Sequence, residues 1–160
     1  MITDSFLIGN NVNIGIVINV TDNVIDIEVT VRNQSDVRIM INGFRFRRNG
    51  YFYFTDENGI KGRVIPLSQI EYDWRVYAED IDVIEPGEEI NYSTRLNFRR
   101  INNKYHIYGD EDIIEFENPG LIRVFILYSQ TNRTINEMSD IIDNAVHVPQ
   151  FSRSYIIREF

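Results

Sequence analysis

The chain has 160 residues, with 24 Asp and Glu against 16 Lys and Arg, two His and no Cys, and a net charge of −8 at pH 7. Without thiols there are no disulfides and no cysteine-ligated zinc, and so acidic a balance argues against nucleic-acid and anionic-membrane partners, which need a positive field. Ile (26) and Val (13) far outnumber Leu (5) and Ala (2), and β-branched side chains favour pleated sheet over helix.

Residues 12–20, VNIGIVINV, open the strand pattern, with Val12, Ile14, Ile16 and Ile18 on one face. After the turn Thr21-Asp22-Asn23, residues 24–32 alternate cleanly. Ile25, Ile27, Val29 and Val31 face one way; Asp26, Glu28, Thr30 and Arg32 face the other. Such alternation marks a strand with one buried and one wet face, the kind used in antiparallel sheets. Asn33-Gln34-Ser35-Asp36 forms a turn through side chains that bond their own backbone. A strand over 37–46 follows, and its phase slips after Gly43, which predicts a bulge or bend. Asn49-Gly50 and Asp56-Glu57-Asn58-Gly59 are turn signals, with further strands expected over 51–55, 60–65 and 70–77.

Glu85-Pro86-Gly87-Glu88 turns the chain into residues 90–98, the second clean run, where Ile90, Tyr92, Thr94, Leu96 and Phe98 share a face. Residues 99–112 read as polar and irregular around a short strand at 105–108. Asn118-Pro119-Gly120 precedes 121–129, LIRVFILYS, which is apolar on both faces and reads as a central strand covered on both sides. Thr134-Ile135-Asn136-Glu137 has the form of a capping box. With Ile135, Met138, Ile141 and Ile142 it predicts one short helix near 134–145. Residues 152–160 close the pattern as a last strand. No repeat, linker or low-complexity tract divides the chain. The expectation is therefore a single domain over 1–160, an all-β antiparallel sandwich of seven to nine strands with one short helix.

Four segments carry a family resemblance. VTVRNQSDVRIMI is similar to the opening of bacterial immunoglobulin-like sandwich domains. Ile84-Glu85-Pro86-Gly87-Glu88 resembles their recurrent proline-glycine turn. Phe116-Glu117-Asn118-Pro119-Gly120-Leu121-Ile122-Arg123-Val124 resembles the start of their penultimate strand, and Ser152-Arg153-Ser154-Tyr155-Ile156-Ile157 their last one. The resemblance runs from about residue 24 onward and implies an immunoglobulin-like fold. Residues 101–112 and the helix near 134–145 depart from it as insertions. Proteinase-inhibitor-like and secreted accessory sandwiches share these features, so the resemblance implies fold rather than activity.

Candidate chemistry is sparse. A serine triad needs a histidine, and only His106, in an Asn-rich loop, and His147, in an edge segment, exist. No nucleophile-elbow pattern surrounds any serine, and the two distant histidines form no metal-ligand spacing. No catalytic, metal or cofactor residue is assigned. Asp56-Glu57-Asn58-Gly59 and Asp110-Glu111-Asp112 offer calcium-type oxygens, but without EF-hand spacing they read as solvated turns. Glycosylation sequons at Asn19, Asn33, Asn91 and Asn132 are the chance product of a chain rich in Asn, Ser and Thr. Trp74, with Tyr72 and Tyr77, reads as core or as a sugar-stacking platform.

The strongest surface signal is a basic-aromatic stretch. Arg45, Arg47 and Arg48 abut Asn49-Gly50, with Phe46, Tyr51, Phe52, Tyr53 and Phe54 interleaved. Arg and Tyr dominate interface hot spots, so Arg45, Arg47, Arg48 and Tyr51 are the expected partner contacts. The plainer alternative puts alternate aromatics in the core and leaves the arginines solvating the turn. Arg99 and Arg100 form a second basic spot. The leading expectation is a non-enzymatic protein-interaction module: an inhibitor, immunity-type or assembly protein, with acidic charge suited to a basic partner. The alternatives are a carbohydrate-binding or adhesin-like domain and a subunit of a homo-oligomeric assembly. MITDSFLIGNN does not read as a signal peptide, so a native start at Met1 implies the cytoplasm, and a removed leader implies a secreted or periplasmic protein.

Overall fold

A strand with one apolar face needs neighbours whose apolar faces lie in the same register. The two alternating runs supply this for each other. A computed structural model describes residues 1–43, 46, 52–67, 80–109, 112–129 and 145–160. In it β3 (Val24–Asn33) pairs antiparallel with β8 (Glu89–Ile101), so that Ile25 faces Leu96, Ile27 faces Thr94 and Val29 faces Tyr92 on the buried side. The wet side matches equally well. Asp26 lies opposite Arg95 and holds its guanidinium with contacts of 2.7 and 3.1 Å, while Asn91 donates to Thr30 at 2.8 Å. Cross-strand pairs of this kind are the unit of sheet stabilisation.

The remaining strands are β1 (Ile2–Ile8), β2 (Val12–Val20), β4 (Ile39–Asn42), β5 (Phe52–Asp56), β6 (Arg63–Pro66), β7 (Ile81–Ile84), β9 (Lys104–Tyr108), β10 (Asp112–Glu117), β11 (Leu121–Tyr128), β12 (Val146–His147) and β13 (Phe151–Glu159). Seven form one sheet in the order β1-β2-β3-β8-β9-β10-β6. Two three-stranded sheets, β13-β11-β5 and β12-β4-β7, complete the set. Pairing is antiparallel apart from β12 on β4. One core joins all three sheets: Ile14, Ile16, Ile18 and Val29 of the large sheet meet Ile41, Val124, Ile126 and Ile157 of the small ones.

The all-β class and antiparallel pairing agree with the sequence reading, and the described residues hold thirteen strands rather than seven to nine. The surplus comes from strands that alternate poorly. In β1, for example, the inward row is Ile2, Asp4, Phe6 and Ile8. The stretch read as irregular is a hairpin, because β8 runs on to Ile101 and turns through Asn102 (φ 52°) and Asn103 (φ 63°) into β9. Two successive left-handed residues make a type I′ turn, which Asn tolerates. The strand expected over 37–46 stops at Asn42, and Gly43 and Phe46 have helical backbone. β11 is central as expected, but only Ile122, Val124, Ile126 and Tyr128 are buried; its other face is half-exposed. The helix expected near 134–145 lies outside the described residues except Ala145, which has no regular structure. The strand expected over 70–77 also lies outside them. No helix among the described residues is long and apolar enough to cross a membrane.

Candidate functional site

Arg45, Arg47, Arg48 and Tyr51 lie outside the described residues, and so do Tyr72, Trp74 and Tyr77. What is described is the part of the fold from which residues 44–51 depart and to which they return. β4 ends at Asn42, β5 begins at Phe52, and Phe46 lies between them at 1% exposure. Its ring stacks on Tyr92 (centroids 5.1 Å), Tyr128 (5.6 Å) and Phe151 (6.4 Å), at interplanar angles of 18° or less. An aromatic side chain buried among parallel-displaced rings is a strong anchor. Phe46 and the buried Phe54 thus take core places, which either reading of the stretch allows, since the arginines that separate the two readings lie outside the described residues.

A polar network surrounds this stack. The Asn42 N–H donates to the Tyr128 hydroxyl at 3.0 Å, and that hydroxyl lies 3.2 Å from His147 Nε2. His147 Nδ1 lies 2.9 Å from the Val148 carbonyl. A carbonyl only accepts, so Nδ1 carries the proton and Nε2 accepts from Tyr128. Burial holds the His147 pKa below its ordinary value, which keeps the ring neutral. On the neighbouring strands the Tyr92 hydroxyl donates to Asp82 at 2.7 Å. Gly43 must be glycine at this point, because a Cβ there would run into the Asp82 carboxylate and come within 2.8 Å of the Tyr92 oxygen. The Asn42 side-chain oxygen is buried with no hydrogen-bond partner among the described residues. Nothing at the sequence level singled out Asn42, Asp82 or Tyr128. Asn42 and Tyr128 lie 86 positions apart, and only the packing of β4 against β11 joins them.

No protein family, curated protein or solved structure matches this chain. Chemistry must therefore be read from the residues themselves.

The other sequence candidates resolve into structural roles. His106 is on β9, not in a loop, and its Nε2 lies 2.9 Å from Glu115, with side chains only 13% and 10% exposed. The His106 contact, with Lys104 and Arg63 nearby, holds the Glu115 carboxyl below the usual range. In the turn after β5, Asp56 accepts from the N–H groups of Asn58 and Ile60 at 2.9 and 3.0 Å. Glu57 reaches across to accept from Gly120 N–H at 2.9 Å, locking the Asn118-Pro119-Gly120 turn. Bonds to its own backbone and to those of Gly120 and Leu121 depress its pKa. These oxygens already serve backbone donors, and no group of three or more ligands is poised for a metal among the described residues. Asp110 and Glu111 lie outside that set. The Asn33 sequon is sealed, since the side chain is fully buried and donates to Val37 and Ile84 carbonyls at 2.7 and 2.9 Å.

The solvent side of β13-β11-β5 carries a second aromatic feature. Tyr53 and Phe125 stack at 4.6 Å and 4°, with Lys61 Nζ 4.5 Å from the Tyr53 ring. Both rings are half-buried.

Proposed function

We propose that the chain is a non-enzymatic protein-interaction module of the immunoglobulin-like sandwich type, which grips its partner through Arg45, Arg47, Arg48 and Tyr51. The observation that carries this reading is the seating of Phe46 in the Tyr92–Tyr128–Phe151 stack. It ties the middle of the basic stretch to the core, and a contact segment anchored in this way loses less entropy on binding than a free loop. Both histidines are engaged in structural bonds, His106 with Glu115 and His147 with Tyr128 and Val148, which favours surface binding over proton-transfer chemistry. The immunoglobulin-like assignment draws on the Pro86-Gly87 turn, with Gly87 at φ 83° and Glu88 N–H donating to Glu85 at 3.0 Å, as a type II turn requires. The seven-stranded sheet is wider than the layers of that fold.

The test is charge reversal. Arg47→Glu with Arg48→Glu weakens capture of the native partner by at least an order of magnitude, with a melting temperature close to that of the parent. Undiminished capture, or a large fall in melting temperature, overturns the assignment of these residues as contacts.

A further inference from the structure

The fold completes the second basic spot in a way that the sequence does not show. Arg99 and Arg100 end the run of β8, and β13 brings Arg158, 58 positions further on, to the same end of the molecule. The Arg100 guanidinium lies 5.5 Å from the centroid of the Tyr105 ring and that of Arg158 lies 6.0 Å from it. Arg158 also sits 4.5 Å from the Phe98 ring and 5.2 Å from that of Phe160, which itself packs 3.9 Å from Tyr105. Arg99 flanks the group from the opposite side of the β8–β9 ribbon, 5.9 Å from the Tyr108 ring.

Arg32, Arg38, Arg63, Arg95 and Lys104 each face a carboxylate. Lys61, Arg123 and Arg153 face a ring or a neutral oxygen and no carboxylate among the described residues, and the cluster at the end of β8 shares that state, with three guanidiniums together. Arg99, Arg100 and Arg158 face none among the described residues; Arg100 bonds only the neutral side chain of Asn103 at 3.2 Å. An acidic chain with 24 carboxylates thus leaves three guanidiniums unneutralised at one end. The rings orient them: stacking on aromatic faces limits the rotamers of Arg while leaving its N–H donors available. We infer that this end of the molecule, centred on Arg100 and Arg158 around Tyr105 and Phe160, is a docking site for an acidic, Asp- and Glu-rich segment of a protein partner. Carboxylates pair with the guanidinium forks, and the exposed Phe160 ring offers an apolar contact beside them. None of these residues belongs to the segment at residues 45–51, so the inference does not rest on that proposal.

A fluorescein-labelled hexaglutamate peptide, titrated by anisotropy at low ionic strength, tests the inference. A protein of net charge −8 repels such a peptide in general, so any binding reports a local positive site. The expected result is saturable binding that fades with added salt, weakens on the order of tenfold in Arg100→Glu, and is unchanged in Arg32→Gln. Should Arg158→Glu melt early, the exposed Arg100→Glu decides alone. No binding, or binding indifferent to Arg100→Glu, overturns the site. Binding of single-stranded DNA or phosphatidylserine vesicles, but not of hexaglutamate, in the same Arg100-dependent manner overturns the class of partner.

Discussion

Three residues decide how the aromatic anchor is held. Phe46 fills a space between three rings, and truncation to alanine would leave a cavity that so rigid a stack cannot close. Phe46→Ala is expected to cost about 3–5 kcal/mol in urea-unfolding stability. Gly43→Ala forces its new methyl into the Asp82–Tyr92 hydrogen bond, with an expected loss of about 1–3 kcal/mol in the same assay. His147 links the anchor to pH. Its folded pKa is lowered from an ordinary 6.5, by burial above all, so below that pH the unfolded chain binds more protons than the folded one. Stability therefore falls as pH drops through 6.5 toward the folded pKa. The urea midpoint should decline between pH 7 and pH 5.5, and the decline should shrink in His147→Gln. Asp26, Glu57 and Glu115 have lowered pKa values, so their contributions are lost only at lower pH, below the ordinary carboxylate values. Of this anchor the sequence displays Phe46, the phase slip at Gly43, Tyr92 on the apolar row of its strand and His147 as an edge histidine, but not their meeting. Tyr128, His147 and Asp82 reach it from distant strands, and no local pattern encodes such a meeting.

At the level of the element, legibility followed periodicity. β2, β3 and the first ten residues of β8 are legible because period-two apolar rows are a strong local signal, whereas β11 shows as a strand by its apolar run, which wrongly suggests cover on both faces. β1, β7 and β10 are not legible, since their rows are short or broken by charge. Asp4 of β1 points inward at the Tyr155 hydroxyl, which donates to it at 2.6 Å, and burial and that bond raise the Tyr155 pKa. A hydrophobic-pattern reading sees Asp4 as a break, whereas the packing uses it to seal β1 against β13. The β8–β9 hairpin was hidden for another reason: Asn102-Asn103 lacks the glycine that usually announces a type I′ turn. Both positions need positive φ, and a β-branched side chain is badly strained there. Asn102→Val is therefore expected to destabilise by about 1–2 kcal/mol, and Asn103→Gly to be neutral or mildly stabilising, both read from thermal melts.

For the whole molecule, charge and edges set the terms of association. The two edge strands β1 and β13 lie side by side, joined by Phe6 on Phe151 at 5.7 Å and by the Asp4–Tyr155 bond. An inward-pointing acid on β1 and a bulge at Ile157 on β13 are devices that blunt strand addition. They weigh against growth of a fibre through these edges and favour a module that meets its partner by side chains. The net charge of −8 predicts fast encounter with a basic partner, with an association rate that drops steeply between low and physiological salt in stopped-flow measurements. The central claim is that this chain works by holding another protein. Affinity capture of the tagged chain from its native host, read by mass spectrometry beside a light-scattering mass of the eluted complex, tests that claim most directly. One foreign protein at a fixed stoichiometry, lost with Arg47→Glu and Arg48→Glu, is the predicted result. The chain recovered only with itself, at a defined multimer mass, would contradict the account.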